Sequence, residues 1–146
     1  MILHIGNYGW ARVEIGEDGD IFTGSASYLN DTPVDFLEEF KRCVDSYSTP
    51  TIKYDEEGSE FIIVVDDYRT YIISERDETR FFTWEIDRKE FVKQALLDIE
   101  SQIDNATHFM YCDEDEDELE KRKNEIIELI DYIRKGMKIW VAIQKF

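Results

Sequence analysis

The chain has 146 residues, with 34 Asp and Glu against 17 Lys and Arg, and so a formal net charge of −17. That balance argues against direct nucleic-acid recognition, which needs clustered Lys and Arg to meet phosphates. With 42% hydrophobic and 14% aromatic residues it is also too rich in core-forming side chains for an acidic disordered chain, and its apolar runs, such as residues 61–65, fall far short of the roughly 20 residues of a membrane span.

Length suits a single domain over 1–146 around one core. The first residues carry neither a basic stretch nor an extended apolar one, so no secretory signal is expected. Cys43 and Cys112 are too sparse for a disulfide framework and are read as reduced thiols in a cytoplasmic protein.

In chain order, Gly6-Asn7-Tyr8-Gly9 reads as a turn or bulge. Residues 8–16 then alternate, with Ala11, Val13 and Ile15 opposite Trp10, Arg12 and Glu14, as in a half-buried strand. Asp18-Gly19 suits a hairpin turn into a second strand from Ile21 towards Tyr28. Asp31 or Thr32 is placed to cap a helix with Pro33 in its first turn. Its stripe is Val34, Leu37, Phe40, Val44 and Tyr47, and it should end near 46–48.

A meander follows: short strands at 51–54, 60–65, 68–74 and 80–86, joined by turns at 55–59, 66–67 and 75–79. Residues 60–65 are so uniformly apolar that a central strand covered on both faces is expected. Asp87, with Glu90 three residues on, resembles a capping box for a second helix, whose stripe runs from Phe91 to Ala106. A third helix should start in the acidic run and stop at Gly136. The alternation Met137, Ile139, Val141, Ile143 then predicts a closing strand. The expected class is α+β: a largely antiparallel sheet of about six or seven strands, with about three helices packed mainly on one face.

No constellation of catalytic residues stands out, and no cofactor or metal is expected. The acidic run 113–118 alternates carboxylates like a calcium loop. It has Glu118 where the turn needs Gly and Asn124 where a bidentate Glu is required. It reads better as a solvated helix start, with Lys121, Arg122 and Lys123 at helical spacing to pair with Asp117 and Glu118. His108 and Cys112 lack the further ligands of a zinc site. Asp87-Arg88-Lys89 matches half of a nuclease signature, but Asp87 is better explained as a cap.

Two features point to binding instead. If the inward strand residues are those named above, the opposite face shows Trp10, Arg12, Glu14, Phe81, Thr83, Glu85 and Trp140. That mixture of aromatic anchors and charge is typical of interface centres. The meander turns supply an acidic rim, and the 55–60 and 75–78 turns should emerge at the same end of the sheet. Residues 1–106 carry 24 acids against 10 bases, so most of the charge lies in this part.

Segments 8–12, 27–33 and 55–60 resemble those of an immunity-protein family from bacterial polymorphic-toxin systems. The resemblance implies a cytoplasmic protein that blocks a cognate toxin domain, often a basic nuclease, without doing chemistry. On that reading Asp55, Glu56, Glu57 and Glu60 steer the toxin, while Trp10 and Tyr28 anchor it. An interaction module or homodimer using the same face is the alternative, and a hydrolase with a carboxylate-bound metal a more distant one.

Overall fold

The computed structural model describes residues 1–6, 9–17, 19–26, 30–110 and 115–143, the last three as backbone only. Tyr28, Cys112, Asp113 and Glu114 lie outside the described residues, as do the side chains of Val141 and Ile143.

The fold is α+β, but the seven strands among the described residues form two antiparallel sheets. The first holds β1 (Leu3–Ile5), β2 (Ala11–Glu17) and β3 (Asp20–Ala26) in that order. Helix α1 (Thr32–Ser46) follows. The second sheet is the expected meander: β4 (Thr51–Asp55), β5 (Glu60–Val65), β6 (Thr70–Glu75) and β7 (Thr79–Trp84). Helices α2 (Arg88–Ser101), α3 (Ile103–Thr107) and α4 (Glu116–Ile143) complete the chain. Two sheets stand in place of one because, among the described residues, no strand pairs with the outer edge of β3. Side chains from the second sheet take that edge instead: Arg76 donates to the Thr23 carbonyl, and the Glu56 carboxylate accepts from Ser25 N–H at 3.4 Å.

A shared core joins the layers. Phe22 of β3 meets Phe61 and Phe82 with ring centroids 5.2 and 5.5 Å apart. Gly24 makes this approach possible, since a Cβ there would lie 2.6 Å from the Phe61 ring. Phe36 of α1 stacks between Tyr54 of β4 and Phe91 of α2. The helices therefore cover the inner face of the second sheet, formed by Ile52, Tyr54, Phe61, Ile63, Val65 and Ile72.

Local chemistry accounts for the element ends. Asp87 caps α2, its carboxylate accepting from Glu90 N–H at 2.8 Å. Asp31 stands at the N-cap of α1 but makes no side-chain cap; its carboxylate is taken by Arg122 instead. The acidic run does open a helix: Asp115 accepts from Glu118 N–H at 2.9 Å, and the first turn of α4 is acidic. The bases that follow pair elsewhere than expected, Lys121 with Glu125, Arg122 with Asp31 and Lys123 with Asp104. The long stripe after Asp87 breaks at Gln102, whose amide donates to the Leu3 carbonyl and to the Asp98 carbonyl.

The closing strand is not formed. Helix α4 runs through Gly136 to Ile143, and the alternation at 137–143 is overridden by a helical stripe of Ile126, Ile130, Ile133, Met137 and Trp140, all buried. Ile139, inward in the strand reading, is 60% exposed. Gly136 is a contact point and not a stop: a Cβ there would lie 2.0 Å from Val44 Cγ1 and 3.1 Å from Val44 Cβ. Valine is stiff at χ1 and cannot swing clear. Gly136→Ala should therefore destabilise by about 1–3 kcal/mol by overpacking, despite alanine's better helix propensity. Urea denaturation of G136A beside the V44A/G136A double variant checks this. The double variant should recover most of the loss, and a G136A protein as stable as the parent would show that α1 and α4 have room between them.

Candidate functional site

The second sheet has one covered face and one that no described element covers. Register builds the outer face as three rows running across the strands. The first is Thr51, Val64, Tyr71 and Thr83; the second is Lys53, Ile62, Ile73 and Phe81; the third is Asp55, Glu60, Glu75 and Thr79. Side chains alternate faces along a strand, so these twelve share one surface. Its centre is apolar, and its last row puts three carboxylates side by side at the end where the 55–60 and 75–79 turns emerge.

Residues 60–65 were expected to be covered on both faces. Instead Ile62 and Val64 lie half-buried on the outer side, while Phe61, Ile63 and Val65 are buried on the inner one. Phe81 is 63% exposed and meets Tyr71 at 5.8 Å between ring centroids. Tyr68, in the β5–β6 turn, is 80% exposed at the far rim. Asp66 in that turn accepts from the Tyr68 and Arg69 amides, and these bonds hold its pKa below the ordinary value, so it stays ionised there.

The residues singled out in the sequence divide on this surface. Asp55 and Glu60 stand in the acidic row, Glu60 paired with Lys53 at 3.1 Å. Glu57 sits exposed at the adjoining turn, in left-handed backbone at φ 60°. Glu56 turns the other way: it is nearly buried and pairs with Arg76 at 3.0 Å. That bridge joins the two turns expected at the same end of the sheet, but its cation neutralises part of the patch. Trp10 is exposed at the start of β2, on the other sheet, so the single mixed face expected from the alternation is split. Arg12 and Glu14 go with Trp10, while Phe81 and Thr83 belong to the second sheet and Glu85 lies just past its last strand. Trp140 is not on a sheet face at all. It is buried in α4, its ring 4.4 Å from the Arg88 guanidinium.

Ile62, Val64, Tyr71 and Ile73 are the face residues that sequence reading missed, whereas Glu75 was already part of the acidic rim read from the 75–78 turn. An unbroken apolar run gives no alternation to assign its faces, and only the strand register does so.

Other candidates are already engaged. A cleft of about 280 Å³ beside the β6–β7 turn is lined by Arg76 and Arg80, but these pair with Glu56 and Glu78. Arg88 is clamped between the Tyr47 and Trp140 rings and pairs with Asp67 at 2.8 Å. Burial, with the neighbouring Asp31 and Glu38 carboxylates, raises the Asp35 pKa to about 6, at the start of α1 and away from the face. Cys43 is a buried free thiol. Among the described residues no group of three or more His, Cys, Asp and Glu is placed to hold a metal ion, and no helix is long and apolar enough to cross a membrane. No protein-family model, curated protein or solved structure matches the chain.

Proposed function

We propose that this chain is a non-enzymatic binding protein of the immunity type, which occludes a basic toxin domain with the outer face of its second sheet. The observation that carries this reading is the uncovered apolar centre of that face, with Asp55, Glu60 and Glu75 in a row beside it. Exposed apolar patches rimmed by polar groups mark interaction sites. A row of carboxylates on a chain of net charge −17 steers a basic partner and raises its on-rate.

The test requires a toxin domain encoded beside this gene as the binding partner, and the absence of one would count against this reading. Reversing Asp55, Glu57 and Glu75 to lysine should slow association about tenfold at low salt, with the difference vanishing at high salt. Phe81→Ala should instead speed dissociation, since truncating an apolar anchor acts mainly on the off-rate. Association and dissociation rates unchanged in both variants would rule out this face. The alternative, a homodimer using the same surface, would appear as a mass that rises with concentration in light scattering.

A further inference from the structure

We infer that the free edge of β7 is a strand-acceptor site, at which an extended segment of a basic protein adds to the second sheet; this rests on the binding role proposed above and names how the partner engages.

Backbone pairing in an antiparallel ladder alternates, so one known bond fixes which residues of an edge strand point outward. Gly6 N–H donates to the Trp10 carbonyl and Glu14 N–H to the Ile2 carbonyl, which leaves Leu3 and Ile5 facing out on β1. All four of their backbone groups are taken by side chains: Asp98 and Gln102 accept from the two N–H groups, while Gln102 and Asn105 donate to the two carbonyls. On β3 the outward Thr23 carbonyl and Ser25 N–H are taken by Arg76 and Glu56. On β4 the outward Thr51 N–H donates to Glu39 at 2.9 Å, and the next outward residues, Lys53 and Asp55, are charged. Side-chain covers and edge charges are the usual devices against unwanted strand pairing.

β7 has no side chain bonded to its outward backbone groups; Arg69 Nε donates to the Thr83 hydroxyl at 2.9 Å but leaves the Thr83 backbone untouched. Asp66 N–H donates to the Arg69 carbonyl, so Tyr71 and Ile73 bond to β5, Ile72 and Ser74 bond to β7, and Thr79, Phe81 and Thr83 face out. Among the described residues their backbone N–H and carbonyl groups have no partner. Their side chains carry no charge, and the strand's single charged residue, Arg80, is tied back to Glu78. The edge that is left open is also the one that borders the exposed Phe81 ring.

The occupant follows from charge and spacing. Glu78 and Glu85 stand exposed just beyond either end of β7, in surface pairs with Arg80 and Arg69. Pairs this exposed contribute little and exchange readily for better ones. An added strand with basic residues near its ends and an apolar one over Phe81 meets both features. A second copy would bring a further −17 to the same edge, and like charge of that size opposes it.

The probe is a short peptide alternating lysine with valine, beside the same peptide N-methylated at alternate residues. Thr83→Pro removes an outward N–H without touching the β6–β7 ladder, and proline is tolerated at such edge positions. Thr83→Val loses the same hydroxyl but keeps the donor. The expected result is at least tenfold weaker peptide binding by T83P than by T83V, little binding of the N-methylated peptide, and at least tenfold slower hydrogen exchange at the Phe81 amide of the parent protein when the peptide is bound. The exchange measurement needs no variant and holds even if T83P folds poorly. Equal binding of both peptides, or an unprotected Phe81 amide in the complex, would overturn the edge site while leaving face docking to be judged by its own kinetics. A parent protein that sediments as a dimer, with T83P a monomer, would overturn the basic occupant in favour of a second copy.

Discussion

Replacing Asp98 with alanine should destabilise this protein by about 3–5 kcal/mol, a large share of the roughly 5–15 kcal/mol that holds a domain of this kind together. Asp98 is buried, and one of its oxygens accepts from both Ile2 N–H at 2.6 Å and Leu3 N–H at 3.0 Å. Its other oxygen accepts from the Gln94 amide at 2.8 Å. Alanine removes the acceptor and leaves the donors stranded. Each buried unsatisfied donor costs about 1–3 kcal/mol, more than an average hydrogen bond contributes. Asparagine keeps one oxygen facing the strand and should lose about half as much. Because β1 hangs on this carboxylate, hydrogen exchange should quicken first at the Leu3 and Ile5 amides. A D98A protein within 1 kcal/mol of the parent in urea denaturation would mean that water reaches these amides and replaces the carboxylate.

Arg122→Met should cost about 2–4 kcal/mol. The guanidinium is bidentate to Asp31, at 2.7 and 2.9 Å, and also donates to the Ala106 and Thr107 carbonyls at 3.0 and 2.8 Å. One side chain thereby ties together the start of α1, the end of α3 and the second turn of α4. Methionine preserves the packing of the stem but leaves a carboxylate and two carbonyls to find other donors. Breaking a buried pair on one side is costly because the remaining charge is uncompensated. The pair is only mostly buried, with Asp31 side chain 22% exposed, so water softens the loss. A double-mutant cycle with Asp31→Asn gives the coupling directly, expected at 1–3 kcal/mol. Lysine should not rescue, since a single ammonium cannot reproduce the fork. Full rescue by lysine would make the site a matter of charge alone.

Local signals in the sequence were dependable where one residue decides one bond. The Asp87 cap and the meander turns follow from side-chain chemistry within a few residues, and Pro33 marks the first turn of α1 although no side chain caps it. Signals that need a distant partner were misread. Gly136 looks like a helix stop until Val44 of another helix is placed against it, and Asp31 looks like a cap until Arg122 arrives from 91 residues away. β1 is three residues long and is held by side chains from α2 and α3, so nothing within it announces a strand. At 137–143 two periods fit the same residues. The helical one prevailed because Met137 and Trp140 extend a stripe that Ile126 had already begun.

The candidate site was half legible. Asp55 and Glu60 were found because turn acids are conspicuous, and Phe81 because it alternates with Phe82. The centre of the face was not, because residues 61–65 carry no polar marker of which side is which. The prominence of Glu56 was misleading for a physical reason: its carboxylate is spent on Arg76 and Ser25 within the fold.

Sheet borders made of side chains differ in heritability from borders made of strands. Removing a neighbouring strand takes a deletion, but freeing an edge group of β1 or β3 takes one codon change at Asp98, Gln102, Asn105, Arg76 or Glu56. Such a protein can gain or lose a pairing edge, and with it a partner or an oligomeric state, in single mutational steps. The same economy means that substitutions at those five positions change the sheet border as well as the fold's stability.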